Sequence, residues 1–256
     1  MNSSLTFCRL ARLASILVGL TTLGAASSKS DLTGFWTADD GATYYVLQDA
    51  DNVVWWAGFS ADGGRSFTNV YRGIWRPNTA TEEPADVGTV DGEWADIPMG
   101  ESMGQGTLRL SLRFSGALAK VSETGGFGAS SWRKTTMDNV GKPPEAIKKA
   151  FPSQNDLTGI WSMSCGGGGT VYVRQVGNTV WWFGLNFQQG GPTFGEVYRA
   201  TLQGNRIAGS VAILPWPWTS GSGVSVLNLS GDGGSGSRTL TVADSNKTGC
   251  TWRKVQ

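Results

Sequence analysis

The chain has 256 residues, with 21 Lys and Arg against 20 Asp and Glu, so its net charge of +1 gives no basic surface for nucleic acid. The absence of histidine excludes Ser/His/Asp and Cys/His catalytic sets, and every His-ligated metal site. The 37 glycines and 12 tryptophans, in a chain poor in helix-forming stretches, favour an all-β protein.

Residues 1–26 have the pattern of a secretory signal peptide. Arg9 and Arg12 precede an apolar run over residues 13–20, and residues 24–26 are the small residues of a cleavage site. The apolar run is too short to cross a hydrocarbon core about 30 Å thick. The sequence therefore predicts a secreted or periplasmic protein with no membrane span after the signal is removed.

The remaining chain is a duplication, because four short motifs recur in the same order at nearly constant spacing. The sequence predicts two domains, 31–134 and 156–254. A linker, 135–155, joins them and is expected to hold one short helix, since prolines and a glutamate precede a lysine pair there. The recurring motifs are 31–36 with 156–161, 54–58 with 180–184, 70–72 with 197–199, and 132–134 with 252–254.

Within each repeat, apolar residues alternate with a period of two, and turn signals divide the repeat into eight runs. Short connections such as Gly177-Asn178 indicate antiparallel neighbours. Eight such strands in roughly 100 residues fit an up-and-down barrel, which closes and leaves no exposed edge strand. The predicted fold is all-β, with two tandem eight-stranded antiparallel barrels, each expected to close alone. The predicted strands are about 32–39, 43–50, 53–61, 66–77, 87–98, 106–114, 117–123 and 130–135, then 159–164, 170–176, 179–187, 193–203, 206–215, 222–230, 238–245 and 248–254.

The register between the last and first strands of a barrel gives a test of closure. Facing residues of an antiparallel pair keep a constant sum of residue numbers. One register, within one residue, brings Cys165 opposite Cys250 and places an arginine of the last strand beside a tryptophan of the first. An oxidising compartment would allow those cysteines to form a disulfide. The same register predicts a structural pair in each repeat: Trp36 with Arg133, and Trp161 with Arg253.

A Gly-x-Trp at the start of the first strand, with an arginine from the last strand over it, resembles the calycin superfamily. That group includes the lipocalins, the avidins and the small bacterial metalloprotease inhibitors. The resemblance implies a barrel that is closed near the tryptophan and open at the other end, where the loops after odd-numbered strands lie. Leu-Thr-Gly-x-Trp is most similar to the avidin opening, but the positions that bind biotin in avidins hold Ala38, Ala42, Met163 and Gly167 here.

Aromatic and arginine residues are the candidate ligand-binding residues. Trp216 and Trp218 stand between prolines in a predicted rim loop, where they either stack on a ring or a sugar, or plug the barrel. The Tyr-Arg pair recurs in both repeats, and its arginine can bind a carboxylate or bond to loop carbonyls. The full candidate set is Trp56, Tyr71, Arg72, Trp182, Tyr198, Arg199, Trp216 and Trp218.

The Trp-Trp pairs lie in the middle of strands, so one ring of each pair points into the barrel and the other points out. The more apolar set of Trp55, Ala57 and Phe59, with its equivalents in the second repeat, is expected to form the core. The set of Trp56 and Gly58, which mixes in small polar residues, either lines a cavity or faces outward.

These features predict a non-catalytic binding protein for a small apolar or ring-bearing ligand, or a glycan, without cofactor, metal or nucleic acid. One other class is a protein-interaction module for a secreted partner, such as a calycin-like protease inhibitor that inserts residues 27–30 into its target. Another is a barrel enzyme, a cyclase or isomerase. It would use carboxylates of the first repeat, Asp91 and Glu93 on one face and Asp96 on the other.

Overall fold

The computed structural model describes residues 30–79, 86–137, 156–164, 168–188, 191–215, 220–230, 239–242 and 251–255. The predicted signal peptide and the predicted linker helix lie outside these residues. The described residues form sixteen strands, and each predicted run overlaps one of them. The all-β prediction is confirmed. Within the described residues, no helix has the length and apolar character needed to cross a membrane.

Strands β1 to β8 form a closed antiparallel barrel in sequence order, called here the first barrel. Each strand pairs with the next, and β8 returns to pair with β1. The strands are β1 Gly34–Ala38, β2 Thr43–Gln48, β3 Val53–Phe59, β4 Thr68–Pro77, β5 Asp86–Asp96, β6 Gln105–Arg113, β7 Leu118–Glu123 and β8 Ser131–Thr135.

Strands β9 to β16 form the second sheet, with the same order of antiparallel neighbours. Its first strand, β9, pairs with both β10 and β16, so the pairing also returns on itself. The strands are β9 Gly159–Met163, β10 Gly169–Val176, β11 Thr179–Gln188, β12 Gly191–Gln203, β13 Arg206–Leu214, β14 Gly221–Ser230, β15 Thr239–Val242 and β16 Thr251–Lys254.

The recurring Asp-Leu-Thr-Gly-x-Trp motif closes one end of each sheet. In the first barrel the Trp36 indole donates to the Leu32 carbonyl at 2.9 Å, and the Leu32 N–H donates to the side chain of Gln48 at 3.0 Å. Gly34 has φ +138°, and a Cβ there would lie 2.9 Å from the side chain of Lys134. In the second sheet, Trp161 makes the same bond to the Leu157 carbonyl, at 3.0 Å. The motif therefore makes the same tryptophan-to-leucine bond in both repeats.

Lysine, not arginine, faces the tryptophan at this closed end. Trp36 pairs with Lys134, whose ammonium lies 5.9 Å from the indole centre, whereas Arg133 pairs with Thr37. The second sheet repeats this, because Trp161 pairs with Lys254 while Arg253 pairs with Ser162. The predicted Trp/Arg pairs are thus wrong by one residue, and a slip of one residue moves a side chain to the opposite face of a strand.

The inward face of each sheet carries one tryptophan of each Trp-Trp pair, the one that alternates with glycine and small polar residues. Trp56 and Trp182 are buried in the interior clusters of their sheets, together with Tyr71 and Tyr198. The more apolar set, which was expected to be the core, lies on the outer face. The set is buried in a hydrophobic core, as expected, but that core is shared by the two repeats and is not the interior of either sheet.

The two outer faces pack against each other and form one shared apolar cluster, called here the inter-repeat interface. Phe59 and Phe183 meet there edge to face, with ring centres 5.4 Å apart. Arg199 lies over the Trp181 indole at 5.4 Å, and its Nε donates to Glu93 across the interface at 2.9 Å. Two apolar sheet faces thus shield each other from water. The buried apolar residues of the interface are Tyr45, Leu47, Val53, Trp55, Ala57, Phe59, Val70, Ala95, Ile97 and Met99, with Ile160, Tyr172, Trp181, Phe183, Leu185, Val197, Ala212 and Leu214.

Candidate functional site

A cavity of about 180 Å³ opens at the end of the first barrel where the loops after β3, β5 and β7 lie, called here the mouth. Its walls carry four aromatic rings and three polar side chains, and glycine and alanine residues form the rest of the lining. Loops after β3, β5 and β7 contribute to it, as the calycin resemblance implied for an open end. The aromatic residues are Tyr44, Phe67, Trp94 and Phe127, and the polar ones are Asn69, Asp96 and Ser102.

The pairing of β4 with β5 places two polar side chains together inside the barrel. Asn69 is the register partner of Asp96, and Tyr71 is the partner of Trp94 two residues away. Alternation then directs all four side chains to the interior, since Tyr71 and Trp94 belong to the interior cluster. The Trp56 indole donates to Oδ1 of Asn69 at 3.0 Å, which fixes the orientation of the amide.

Asp96 is a buried carboxylate, with only 3% of its surface exposed. The Gly104 N–H donates to its Oδ2 at 2.8 Å. Burial raises the pKa of Asp96, and Ser102, Gly104 and the positive charge of Arg174 oppose that rise only in part. No Lys or Arg among the described residues lies within ion-pair distance of this carboxylate.

Tyr44 places a second buried polar group at the cavity. Its hydroxyl is fully buried, and the Asn69 and Trp132 side chains approach it without a hydrogen bond of ordinary geometry. Burial raises its pKa, so the phenol is neutral. Gly58 makes room for the ring, because a Cβ at that position would lie 2.3 Å from Cε1 of Tyr44. A buried group that lacks a partner is costly, and a ligand can supply that partner.

The loop after β7 folds Phe127 back into the mouth of the barrel. The Phe127 ring meets Trp94 edge to face, with ring centres 4.9 Å apart. Gly125 and Gly126 adopt φ near +85°, a conformation that other residues rarely adopt. The Glu123 carboxylate accepts the N–H groups of residues 126 and 127, and Lys120 donates to the Phe127 carbonyl at 2.7 Å. These contacts fix Phe127 as one wall of the cavity.

The second repeat supports this site from outside the first barrel. Arg174 on β10 donates through Nη2 to the carbonyl of Met103 at 3.3 Å. Met103 lies in the loop after β5, between Ser102 and Gly104, which both line the cavity. The second repeat therefore helps to hold the loop that completes the site.

The polar pair of the cavity is not repeated in the second sheet. Register places Glu196 and Ile213 there where the first barrel has Asn69 and Asp96. Val211 likewise replaces the tryptophan of β5. The two repeats thus share the closed end and the interface, whereas the cavity chemistry belongs to the first barrel.

The predicted ligand residues Trp56, Tyr71, Trp182 and Tyr198 pack against one another instead of lining the cavity. Trp56 stacks on Tyr71 with ring centres 4.2 Å apart, and Trp182 stacks on Tyr198 at 3.8 Å. The two tyrosine hydroxyls donate to backbone carbonyls, of Leu108 and Ser225. These four residues therefore belong to the packed interiors of the two sheets.

Arg72 and Arg199 lie at the inter-repeat interface, away from the barrel mouth. Arg72 lies over the Trp55 indole at 5.2 Å, in the same way that Arg199 lies over Trp181. Burial lowers the pKa of Arg72, and the positive charge of Arg199 lowers it further. Both arginines therefore serve packing between the repeats. The other predicted ligand and disulfide residues, Trp216, Trp218, Cys165 and Cys250, lie outside the described residues.

The carboxylates considered for catalysis do not converge. Asp91 is paired with Arg76 and Arg109 on the outer surface, at 3.1 and 3.3 Å. Glu93 bonds to Arg199 at the interface, and Asp96 lies inside the barrel. An acid/base pair needs both groups on one substrate. These three carboxylates therefore do not form an acid/base pair with one another.

Sequence reasoning missed Asn69 and Trp94, and it considered Asp96 only as a carboxylate of the enzyme hypothesis. The sequence does hold a signal for two of them. Trp94 and Asp96 share one face of β5, and the equivalent positions in the second repeat, Val211 and Ile213, are aliphatic. Reading that signal requires the register between β4 and β5, since it pairs Asn69 with Asp96 across the sheet.

The described residues contain no cluster of three or more potential metal ligands. A comparison of the chain with models of known protein families found no match, and a comparison with curated proteins found none either.

Proposed function

We propose that the protein is a secreted or periplasmic, non-catalytic binding protein built from two calycin-like barrels. Its first barrel takes one small ring-bearing ligand in the cavity at its mouth. One observation carries this proposal: the cavity combines aromatic walls with a buried carboxyl, Asp96, that has no ion-pair partner among the described residues, and a buried phenol, Tyr44, that makes no hydrogen bond of ordinary geometry. Ligand sites commonly combine an apolar lining with a few such polar groups.

The size of the cavity limits the ligand. An engineered apolar cavity of about 150 Å³ is known to bind benzene. A cavity of about 180 Å³ therefore has room for one ring with short substituents. A long acyl chain or an extended glycan would exceed it, so a glycan ligand would place a single sugar ring in the mouth.

Binding can be tested by isothermal titration of the mature protein with single-ring probes, beginning with benzyl alcohol and benzamide. Native mass spectrometry of the freshly purified protein would show any small molecule already bound. We expect one binding site per chain, and saturable heat from at least one of these probes.

A variant with a blocked cavity, compared with a matched control variant, tests whether the probes bind in the cavity. Ser102 lines the cavity and is exposed, so Ser102→Trp should fill the mouth and abolish probe binding. Ser115→Trp places the same side chain on an exposed turn between β6 and β7 and should bind probes as the wild type does. Equal binding by both variants would show that the probes bind elsewhere and would overturn the proposal.

A further inference from the structure

The cavity at the mouth of the first barrel carries a marked charge asymmetry. Twelve residues line it, and Asp96 is the only Asp, Glu, Lys or Arg among them. The remaining lining consists of aromatic rings, an amide, a serine, glycines and an alanine. A ligand inside the cavity therefore meets one carboxyl group and no positive charge from the walls.

The Asp96 carboxylate has unused bonding capacity. A carboxylate offers about four acceptor positions on its two oxygens. Gly104 N–H occupies one at 2.8 Å, and the Ser102 side chain also approaches the group. Acceptor positions therefore remain for a ligand that donates hydrogen bonds.

The protein does not neutralise this carboxylate directly. Arg174 is the nearest cation acting on it, but its Nη2 is directed to the Met103 carbonyl. A buried charge without an ion-pair partner is unfavourable, and charge-assisted bonds to such a group are strong. The aromatic walls also suit a cation, since indole and phenyl faces attract positive charge.

The Tyr44 hydroxyl gives a second polar contact in the same cavity. It is fully buried, and the Asn69 and Trp132 side chains approach it without a hydrogen bond of ordinary geometry. A phenol both donates and accepts, so it can accept a second N–H from a ligand bound at Asp96. The Asp96 carboxyl and the Tyr44 phenol both belong to residues of the cavity lining, and together they match a planar group that carries several N–H donors.

We propose that the ligand of the first barrel is a small aromatic cation with an N–H-rich edge, of the amidine or guanidine type, which pairs with Asp96 and stacks on Trp94 or Phe127. This inference rests on the proposed function, because it assigns the ligand class of the same cavity. An anionic ring, such as a carboxylate or a phosphate ester, is disfavoured by the same arrangement.

Three probes of nearly identical shape test the charge class: benzamidine, benzamide and benzoate. Titration of the mature protein at neutral pH should show benzamidine binding at least 10-fold more tightly than benzamide, with benzoate binding weakest. The Asp96→Asn variant should lose this preference, so that benzamidine and benzamide bind within about 3-fold of each other. Asp91→Asn removes a carboxylate from the outer face of the same strand and should keep the preference.

Each other outcome has a definite meaning. If benzamide and benzamidine bind equally to the wild type, or if Asp96→Asn keeps the preference, the ligand class is wrong while the proposed function stands. If benzoate binds best, the class is also wrong. If none of the three binds and the Ser102→Trp comparison also shows no site, the proposed function fails together with this inference. Circular dichroism of each variant confirms that the fold is retained.

Discussion

Asp96 is an acid held inside the first barrel, and its ionised form is less favourable there than in water. Burial raises its pKa in the folded state above the usual value of a carboxyl group. The stability that the protein has with Asp96 protonated is therefore fully present below the pKa that this carboxyl has in the unfolded chain. It is lost as the pH rises through the raised folded pKa. The acid thus lowers stability at neutral pH in exchange for a charge inside the cavity.

We expect Asp96→Asn to raise the free energy of unfolding at about pH 7, by an amount on the order of 1 kcal/mol. Asparagine keeps an oxygen that can accept the Gly104 N–H but carries no charge. The gain should shrink as the pH falls to about 3, where the wild-type acid is protonated. Urea unfolding at several pH values measures this, and a gain that does not change with pH would contradict it.

The predicted disulfide concerns two residues outside the described part of the chain. The register that is described next to them, with Met163 opposite Trp252, would place Cys165 opposite Cys250 if it continued by two residues. On the chain-entropy view, such a bond would stabilise the second repeat by about 4–5 kcal/mol. Alkylation of the secreted protein without reduction, followed by intact mass measurement, should show no modified cysteine. Two modified cysteines would refute the bond.

At the scale of single elements, β3 shows how one strand serves two buried surfaces. Trp56 and Gly58 face the barrel interior, and Trp55 and Phe59 face the inter-repeat interface. All seven residues of the strand are buried as a result. The strand therefore tolerates little change in side-chain volume on either face.

Gly58→Ala tests the inward face of this strand. Its Cβ would lie within 3 Å of both Tyr44 and Asn69, so we expect a loss of about 1–3 kcal/mol or more in unfolding free energy. Gly128→Ala is the matched control, because a Cβ there meets nothing within 4 Å and its φ is not positive. That variant should lie within about 0.5 kcal/mol of the wild type, or be slightly more stable. Similar losses in the two variants would show that the packing around Tyr44 is looser than described.

The inter-repeat interface is held by apolar packing more than by its ion pair. Phe183→Ala should lower the free energy of unfolding by about 3–5 kcal/mol, because it opens a cavity between two sheets. Glu93→Gln removes a partly exposed ion pair with Arg199 and should cost about 1 kcal/mol or less. Chemical denaturation of both variants measures the difference. A larger loss for Glu93→Gln would mean that the ion pair dominates the contact between repeats.

At the scale of the whole molecule, the two repeats depend on each other through the apolar faces they share. The sequence suggested that each repeat closes alone, and the pairing of its own first and last strands agrees with closure. A separated repeat would nevertheless expose Trp55, Phe59 and their neighbours, or Trp181, Phe183 and theirs. Contiguous apolar patches of this kind drive association.

Residues 27–140 and 150–256, produced separately, should therefore associate when mixed. We expect a one-to-one complex by analytical ultracentrifugation, with a change in tryptophan fluorescence as Trp55 and Trp181 become buried. Each piece alone should self-associate or aggregate. Two pieces that remain well-folded monomers after mixing would show that the interface contributes little to stability.

The sequence by itself determined the strands and the recurring motif that begins each repeat. A period of two and short turns locate strands from local properties alone, and the motif ending in Trp36 or Trp161 acts within a few residues of itself. The register of the closing strands was also almost accessible, with an error of one residue that exchanged Arg133 for Lys134.

Only the tertiary structure decided which face of each strand is inside and where the cavity lies. Alternation separates two faces but does not say what covers them, so an interface between repeats and a barrel interior give the same apolar pattern. The cavity depends on Asn69 and Asp96, which are distant in sequence and meet through strand pairing. Their partnership, and the support that Arg174 gives from the other repeat, exist only once the chain has folded.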